Sequence, residues 1–216
     1  MKSFLMIQFV FTILFSVSVI AQEKTIKLLP PQKEIGKPLM QVLNLRQSSR
    51  TFDKAPLSQQ DLSNLLWAAF GINRPETGKR TAPSARNWQE IDVYVLTAEG
   101  AFLYDAKTHS LQQVITEDIR SMAGKQDFVG TAPLNLVYVA DYTKTGDASQ
   151  EDRQIYCSAD AGFIAQNVYL YCASQNLSVV VRGMVDRDAL SKKLNFKSGQ
   201  KIILAQTVGY PATEKK

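Results

Sequence analysis

Histidine is nearly absent from this chain: its 216 residues contain one, His109. A Ser-His-Asp hydrolase would have to use it. It falls in the polar turn DAKTHS (105–110), which reads as a surface position and not as a catalytic base. Cysteine is scarce too, with only Cys157 and Cys172, so no Cys/His zinc cluster can be assembled and no metal site is expected. Both cysteines fall on one helical pattern, where their separation corresponds to roughly 22 Å along the axis. A disulfide needs Cα atoms within about 7 Å. Two buried thiols are therefore expected. Runs of basic charge are missing as well. The net charge is +5, yet no Lys/Arg run exceeds two residues. A nucleic-acid stripe would be clustered, so no nucleic-acid partner is expected. A scattered, mild positive balance suits a small anionic ligand.

Long apolar runs are missing except for one, FLMIQFVFTILFSVSVIA at residues 4–21. Lys2 precedes it, and Val19-Ile20-Ala21 offers small residues before a cut. Residues 1–21 read as a secretory signal peptide, which implies an exported, periplasmic protein. The rival reading is an uncleaved membrane anchor. No cysteine lies near the cut, which argues against a lipid anchor. No Arg pair precedes the run, which argues for export of the unfolded chain.

The full chain has an ordinary globular balance, with 45% hydrophobic and 21% charged residues. It shows no repeat and no low-complexity tract. Residues 22–37 are polar and proline-bearing and read as an extended arm, followed by one domain over 38–213. PLMQVLNLR (38–46) predicts a short helix with Pro38 at its start. LSQQDLSNLLWAAFG (57–71) predicts a helix capped by Ser58 and ended by Gly71. Residues 72–90 have no periodicity and read as a long loop. Residues 91–114 alternate like antiparallel strands. A short helix near 117–123 and a buried strand at 133–142 follow. Residues 150–176 predict a long helix, apolar most of the way around and so buried. A strand at 177–184, a helix capped by Asp186 and a last strand at 201–211 complete the series. Grouped strands with a central helix predict an α+β fold.

Three short stretches carry donors that could hold a ligand. In RQSSRTF, Arg46 and Arg50 stand at helical spacing with Ser48 between them, and guanidinium forks suit phosphate oxygens. Solvated arginines paired with surface acids are the plain alternative. In RTAPSARN, Pro83 stiffens a loop in which Ser84, Arg86 and Asn87 offer donors. It also fits a merely polar loop. In VVVRGMVD a strand runs into Arg182-Gly183-Met184, where glycine permits close approach of a ligand or simply makes a turn. Gln166 and Asn167 lie within the apolar helix and need partners.

The order and spacing of these pieces resemble the nitroreductase family of FMN-dependent oxidoreductases. The resembling features are Arg46-x-Ser48-x-Arg50 before Phe52, the LLWAAFG helix, and Pro83-Ser84-Ala85 with Asn87. Gly162 with Gln166-Asn167, the Gly183-Met184 turn before Asp186, and VGYP at 208–211 complete the set. Together they span roughly residues 38–211. The resemblance implies a central, mostly antiparallel sheet flanked by helices around the long buried one, in an intertwined homodimer with two FMN sites. Arg46, Gln47, Ser48 and Arg50 would hold the FMN phosphate and ribityl chain. Pro83, Ser84, Ala85 and Asn87 would reach the ring from the partner subunit. Arg182, Gly183 and Met184 would approach flavin N5, with Arg182 standing where the family has an apolar residue. Family members carry a further basic residue after the last strand, where this chain has Lys215 and Lys216. The implied activity passes electron pairs through flavin N5 to a nitroaromatic or quinone-type acceptor in ping-pong fashion, with no catalytic side chain nominated. NAD(P)H is the family's donor, but export would require another. The alternatives are an exported flavin carrier or sensor without turnover, and an interaction protein on a decayed scaffold.

Overall fold

The computed structural model describes residues 24–212. Residues 1–21, expected to be a signal peptide, and the lysines Lys215 and Lys216 lie outside the described residues. Nine strands and four α-helices are described: β1 (Thr25–Lys27), α1 (Leu39–Leu45), α2 (Gln59–Phe70), β2 (Ile72–Arg74), β3 (Lys79–Arg80), β4 (Ile91–Thr97), β5 (Gly100–Asp105), β6 (Ser110–Ile115), β7 (Leu134–Asp141), α3 (Gln150–Gln175), β8 (Ser178–Arg182), α4 (Arg187–Lys193) and β9 (Gln200–Gly209). Seven of the strands form one sheet in the order β1-β6-β5-β4-β7-β9-β8, and every neighbouring pair is antiparallel. The architecture is the expected α+β arrangement.

Alternation along the central strands divides the core between the two faces of the sheet. From β4 and β7, Val93, Val95, Leu136 and Tyr138 face α2 and α3, where Leu65, Leu66, Ile164, Val168 and Cys172 complete the larger cluster. Tyr94, Leu96, Val137 and Val139 face the other way, toward Ile119, Val129, Leu190 and Ile202. The helix starts follow their caps. Ser58 Oγ accepts from Asp61 N–H at 3.0 Å, Ser149 Oγ from Asp152 N–H at 3.0 Å, and Asp186 from Ala189 N–H at 3.1 Å. Asn176 closes α3 in the left-handed conformation, at φ 57°. Cys157 and Cys172 are both buried and free, as their helical separation requires.

Four expectations change. Residues 72–90 hold a small hairpin, β2 with β3, where a structureless loop was expected. The helix near 117–123 is one 3-10 turn at Arg120–Ala123. The arm is more than a tether. Thr25–Lys27 pairs with β6 and covers that sheet edge, while Gln32 N–H donates to Asn64 Oδ1 and Lys37 N–H to Ser174 Oγ. His109 is not a free surface residue. Its ring nitrogens hydrogen-bond Tyr104 OH at 2.9 Å, Ser63 Oγ at 2.8 Å and Leu29 O at 3.1 Å. The turn between β5 and β6 carries it at φ 49°, which aims the ring back under the arm.

Candidate functional site

α1 ends at Leu45, before either arginine, so helical spacing does not relate Arg46 to Arg50. Arg46 is its C-cap, with ψ at 121°, and residues 46–50 run extended beside β8. Ser49 N–H donates to Val179 O at 2.9 Å, which fixes the register. An extended segment sends alternate side chains to opposite sides. Arg46 and Ser48 both reach Tyr169 of α3: the guanidinium lies 5.4 Å from the ring centroid, and Ser48 Oγ is 2.8 Å from the hydroxyl. Gln47 and Ser49 turn the other way, into a cavity of about 280 Å³ that Asn176, Ser178 and Val179 also line. Of the four residues expected to hold the phosphate, Arg46 and Ser48 therefore lie on one side of the segment and Gln47 on the other. Among the described residues, neither Arg46 nor Arg50 is paired with a carboxylate.

Tyr169 joins this segment to the next one. Its hydroxyl accepts Val181 N–H at 2.9 Å while bonding Ser48. Val181 lies just ahead of the Gly183-Met184 turn. A Cβ added at Gly183 would meet nothing within 4 Å, and Met184 is exposed, so this turn is open to a ligand. Arg182 behaves differently from its neighbours. Its guanidinium is buried and donates to Thr207 Oγ1 at 3.0 Å, Ala123 O at 2.6 Å and Asn135 Oδ1 at 2.8 Å. Among the described residues no carboxylate accompanies it there, and burial pulls its pKa down to about 10. The Arg182 side chain braces β8 against β7, β9 and the Arg120–Ala123 turn, so only its backbone belongs with Gly183 and Met184.

The Pro83–Asn87 loop is built against the N-terminal half of α3. Ala85 N–H donates to Asp160 Oδ2 at 2.8 Å, and Gln89 N–H to Ser84 Oγ at 3.0 Å. Arg86, Asn87 and Gln89 hold φ values of 50°, 57° and 49°. For non-glycine residues this left-handed backbone costs about 1 kcal/mol or more each. Trp88 stands edge-on to Tyr156 of α3 with ring centroids 6.0 Å apart. Among the described residues, no hydrogen bond links this loop to residues 46–50 or 182–184. One chain thus brings Arg46, Ser48, Tyr169 and the Gly183 turn together and leaves the Pro83 loop apart, about nine residues of helix away along α3, or ~13 Å.

Asp160 and its neighbour Glu90 escaped the sequence reading, as did Tyr169. Glu90 is fully buried just before β4, and its carboxyl faces that of Asp160. Burial, and then the neighbouring acid, push Glu90 up to about 7, while burial also raises Asp160. The available signals were an acid on the buried face of an apolar helix and a tyrosine hydroxyl that burial obliges to find a partner.

Apolar side chains are also exposed on two helices, Leu39, Met40 and Leu43 on α1 and Ile155, Tyr156 and Phe163 on α3.

The model of the nitroreductase family matches residues 43–210. A protein of Methanocaldococcus jannaschii, provisionally named a nitroreductase, is 31% identical over 179 residues, covering 78% of this chain and 89% of its own. A crystal structure from Ralstonia eutropha, provisionally described as a nitroreductase, superposes with a TM-score of 0.85 at 44% identity over 89% of this chain and 91% of that one. Nitroreductase A from Vibrio parahaemolyticus shares the fold at a TM-score of 0.62 and 20% identity, over 82% and 70% of the two chains.

Proposed function

Because the chain belongs to the nitroreductase family of oxidoreductases, we propose that it binds FMN and serves a small, flat, electron-poor acceptor of the nitroaromatic or quinone type. The observation that carries this reading is the pair of arginines without carboxylate partners among the described residues, one of them held on the Tyr169 ring beside the Ser48 hydroxyl. Such a donor set fits a phosphate monoester, with guanidinium forks for its oxygens and a hydroxyl for a third contact. The open turn at Gly183 fits the approach of a flat ring to backbone N–H groups.

Bound FMN would supply two-electron redox chemistry between a donor and the acceptor in turn. The chain's own residues do the rest. Arg46 and Arg50 neutralise the phosphate. Ser48 and Tyr169 fix the clamp segment against β8, so that the phosphate site and the Gly183 turn keep one spacing. The exposed Met184 side chain sits where an acceptor would enter and offers it an apolar contact.

The protein acts as a homodimer in this reading. The exposed apolar residues of α1 and α3 supply the contact surface, and the Pro83–Asn87 loop reaches the clamp of the second copy, since within its own chain it does not. The apolar segment at 4–21 supports export, with a donor other than cytoplasmic NAD(P)H. The first test is an absorbance spectrum of the purified protein after excess FMN and desalting, for wild type and for Arg46→Ala/Arg50→Ala. Flavin bands retained by wild type and lost by the double variant are expected. A colourless wild type would overturn the cofactor assignment.

A further inference from the structure

Glu90 presents a problem that the folded chain must solve. Its side chain is fully buried, and both carboxyl oxygens lack a hydrogen-bond donor among the described residues. An ionised carboxylate in that position would be desolvated with little in return. The group facing it is another carboxyl, Asp160, which is itself nearly fully buried. Two carboxyls can hydrogen-bond to each other only if one of them carries a proton. Their partners say which. Asp160 Oδ2 already accepts the Ala85 N–H at 2.8 Å, which favours the charged form there. Glu90 has its own backbone amide and the weakly donating Cys157 thiol nearby, neither of them in hydrogen-bond geometry. The proton therefore rests on Glu90, which donates it to Asp160.

The second observation is what this pair holds. Ala85 N–H to Asp160 is the hydrogen bond that ties residues 83–87 to another element, and directly beyond it the backbone runs left-handed at Arg86, Asn87 and Gln89. A strained segment persists only while its surroundings over-determine it. We propose that Glu90 and Asp160 share a single proton and together act as positioning residues, fixing the Pro83–Asn87 loop in the conformation that receives the flavin. This rests on the FMN reading for its last clause only.

A second ionisation within the pair would place two like charges in a buried site and drive them apart, taking the Ala85 amide with them. The other groups facing the pair do not relieve this. Cys157 and Tyr142 both have raised pKa values, chiefly from burial, and stay neutral. Arg153, the cation of this cluster, directs Nη2 to Gly146 O instead. The hold on the loop should therefore weaken as pH rises from 4.5 toward about 7, by up to about tenfold per pH unit, and level off above it.

The experiment is amide hydrogen exchange over residues 83–90, corrected for intrinsic rates, at pH 6 and pH 8. It is paired with FMN titration by quenching of flavin fluorescence at the same two pH values. Wild type should lose about tenfold in loop protection at pH 8 and weaken its FMN binding in parallel. Glu90→Gln, which mimics the protonated acid, should keep both at pH 8. Asp160→Ala should lose loop protection at both pH values while global unfolding reports a folded chain. If protection follows this pattern but no variant binds FMN, the positioning pair stands and the cofactor reading falls. If wild-type protection is the same at both pH values, or if Glu90→Gln tracks wild type, the shared proton is refuted whatever the flavin does.

Discussion

Replacing Glu90 by glutamine should make the protein more stable at pH 8, and the gain can be worked out. The folded-state pKa of Glu90 is raised from 4.5 to about 7, chiefly by burial and secondarily by Asp160. Between those two values the folded chain holds a proton that the unfolded chain has released. Stability therefore falls as pH rises through this window and levels off above it. A tenfold change in proton affinity is worth about 1.4 kcal/mol, so the loss attributable to Glu90 is about 3 kcal/mol. Glutamine keeps the shape and can still donate to Asp160, but it has no proton to lose. Urea unfolding followed by circular dichroism at pH 5, 6, 7 and 8 checks this. The wild-type curve should drop across the series while that of Glu90→Gln drops by about 3 kcal/mol less. Profiles that stay parallel within about 0.5 kcal/mol would refute the reasoning, because a glutamate that ionises normally has no such linkage.

Three further outcomes are expected. Tyr169→Phe keeps the ring under Arg46 but leaves Val181 N–H without its acceptor. It should cost about 1–3 kcal/mol in urea unfolding, and an unchanged midpoint would deny the hydroxyl its role. Arg182→Met fills similar space and removes three hydrogen bonds to Thr207, Ala123 and Asn135. A loss of about 1–3 kcal/mol with the loop at 120–124 loosened in hydrogen exchange is the expected result, and retention of full protection there would count against a bracing role. Phe163→Glu puts a charge on the exposed face of α3. Sedimentation velocity should show the proposed dimer converted to monomer, and a dimer of undiminished affinity would move the interface elsewhere.

Much of the fold could be read from local signals because those signals acted locally. Ser58 and Asp186 cap the helices they announced, and the alternation over residues 91–114 became β4, β5 and β6. Where the reading failed, the deciding contact came from far along the chain. Residues 24–28 carry too little apolar periodicity to declare a strand, yet the unpaired edge of β6 recruits them. His109 sits in a polar turn by sequence, but Ser63 and Leu29 are brought to it only by the folded arm. At the clamp, residue types were legible and geometry was not. Helical spacing suggested that Arg46 and Arg50 adjoin, whereas the bond from Ser49 to Val179 pulls the segment into extended form and exchanges a helical face for a strand's alternation.

The acid pair shows why the least legible residues bear most directly on the loop. Glu90 precedes a strand and Asp160 lies within a long helix, and neither stands in a pattern that announces a partner. Read singly, each is a polar residue at odds with its apolar surroundings. That discord is itself informative, because a buried acid without a cation must be neutral, shared or strained. Here the sharing is directed at one amide, Ala85, in a loop whose proline, serine and alanine were recognisable on their own. The recognisable residues would touch the ligand, and the unrecognised ones decide whether the loop is in place to do so. A variant set confined to the recognisable loop residues would miss the pH dependence altogether, since none of Pro83, Ser84 and Ala85 titrates. Only changes at Glu90 or Asp160 separate a loop that is merely present from one that is held.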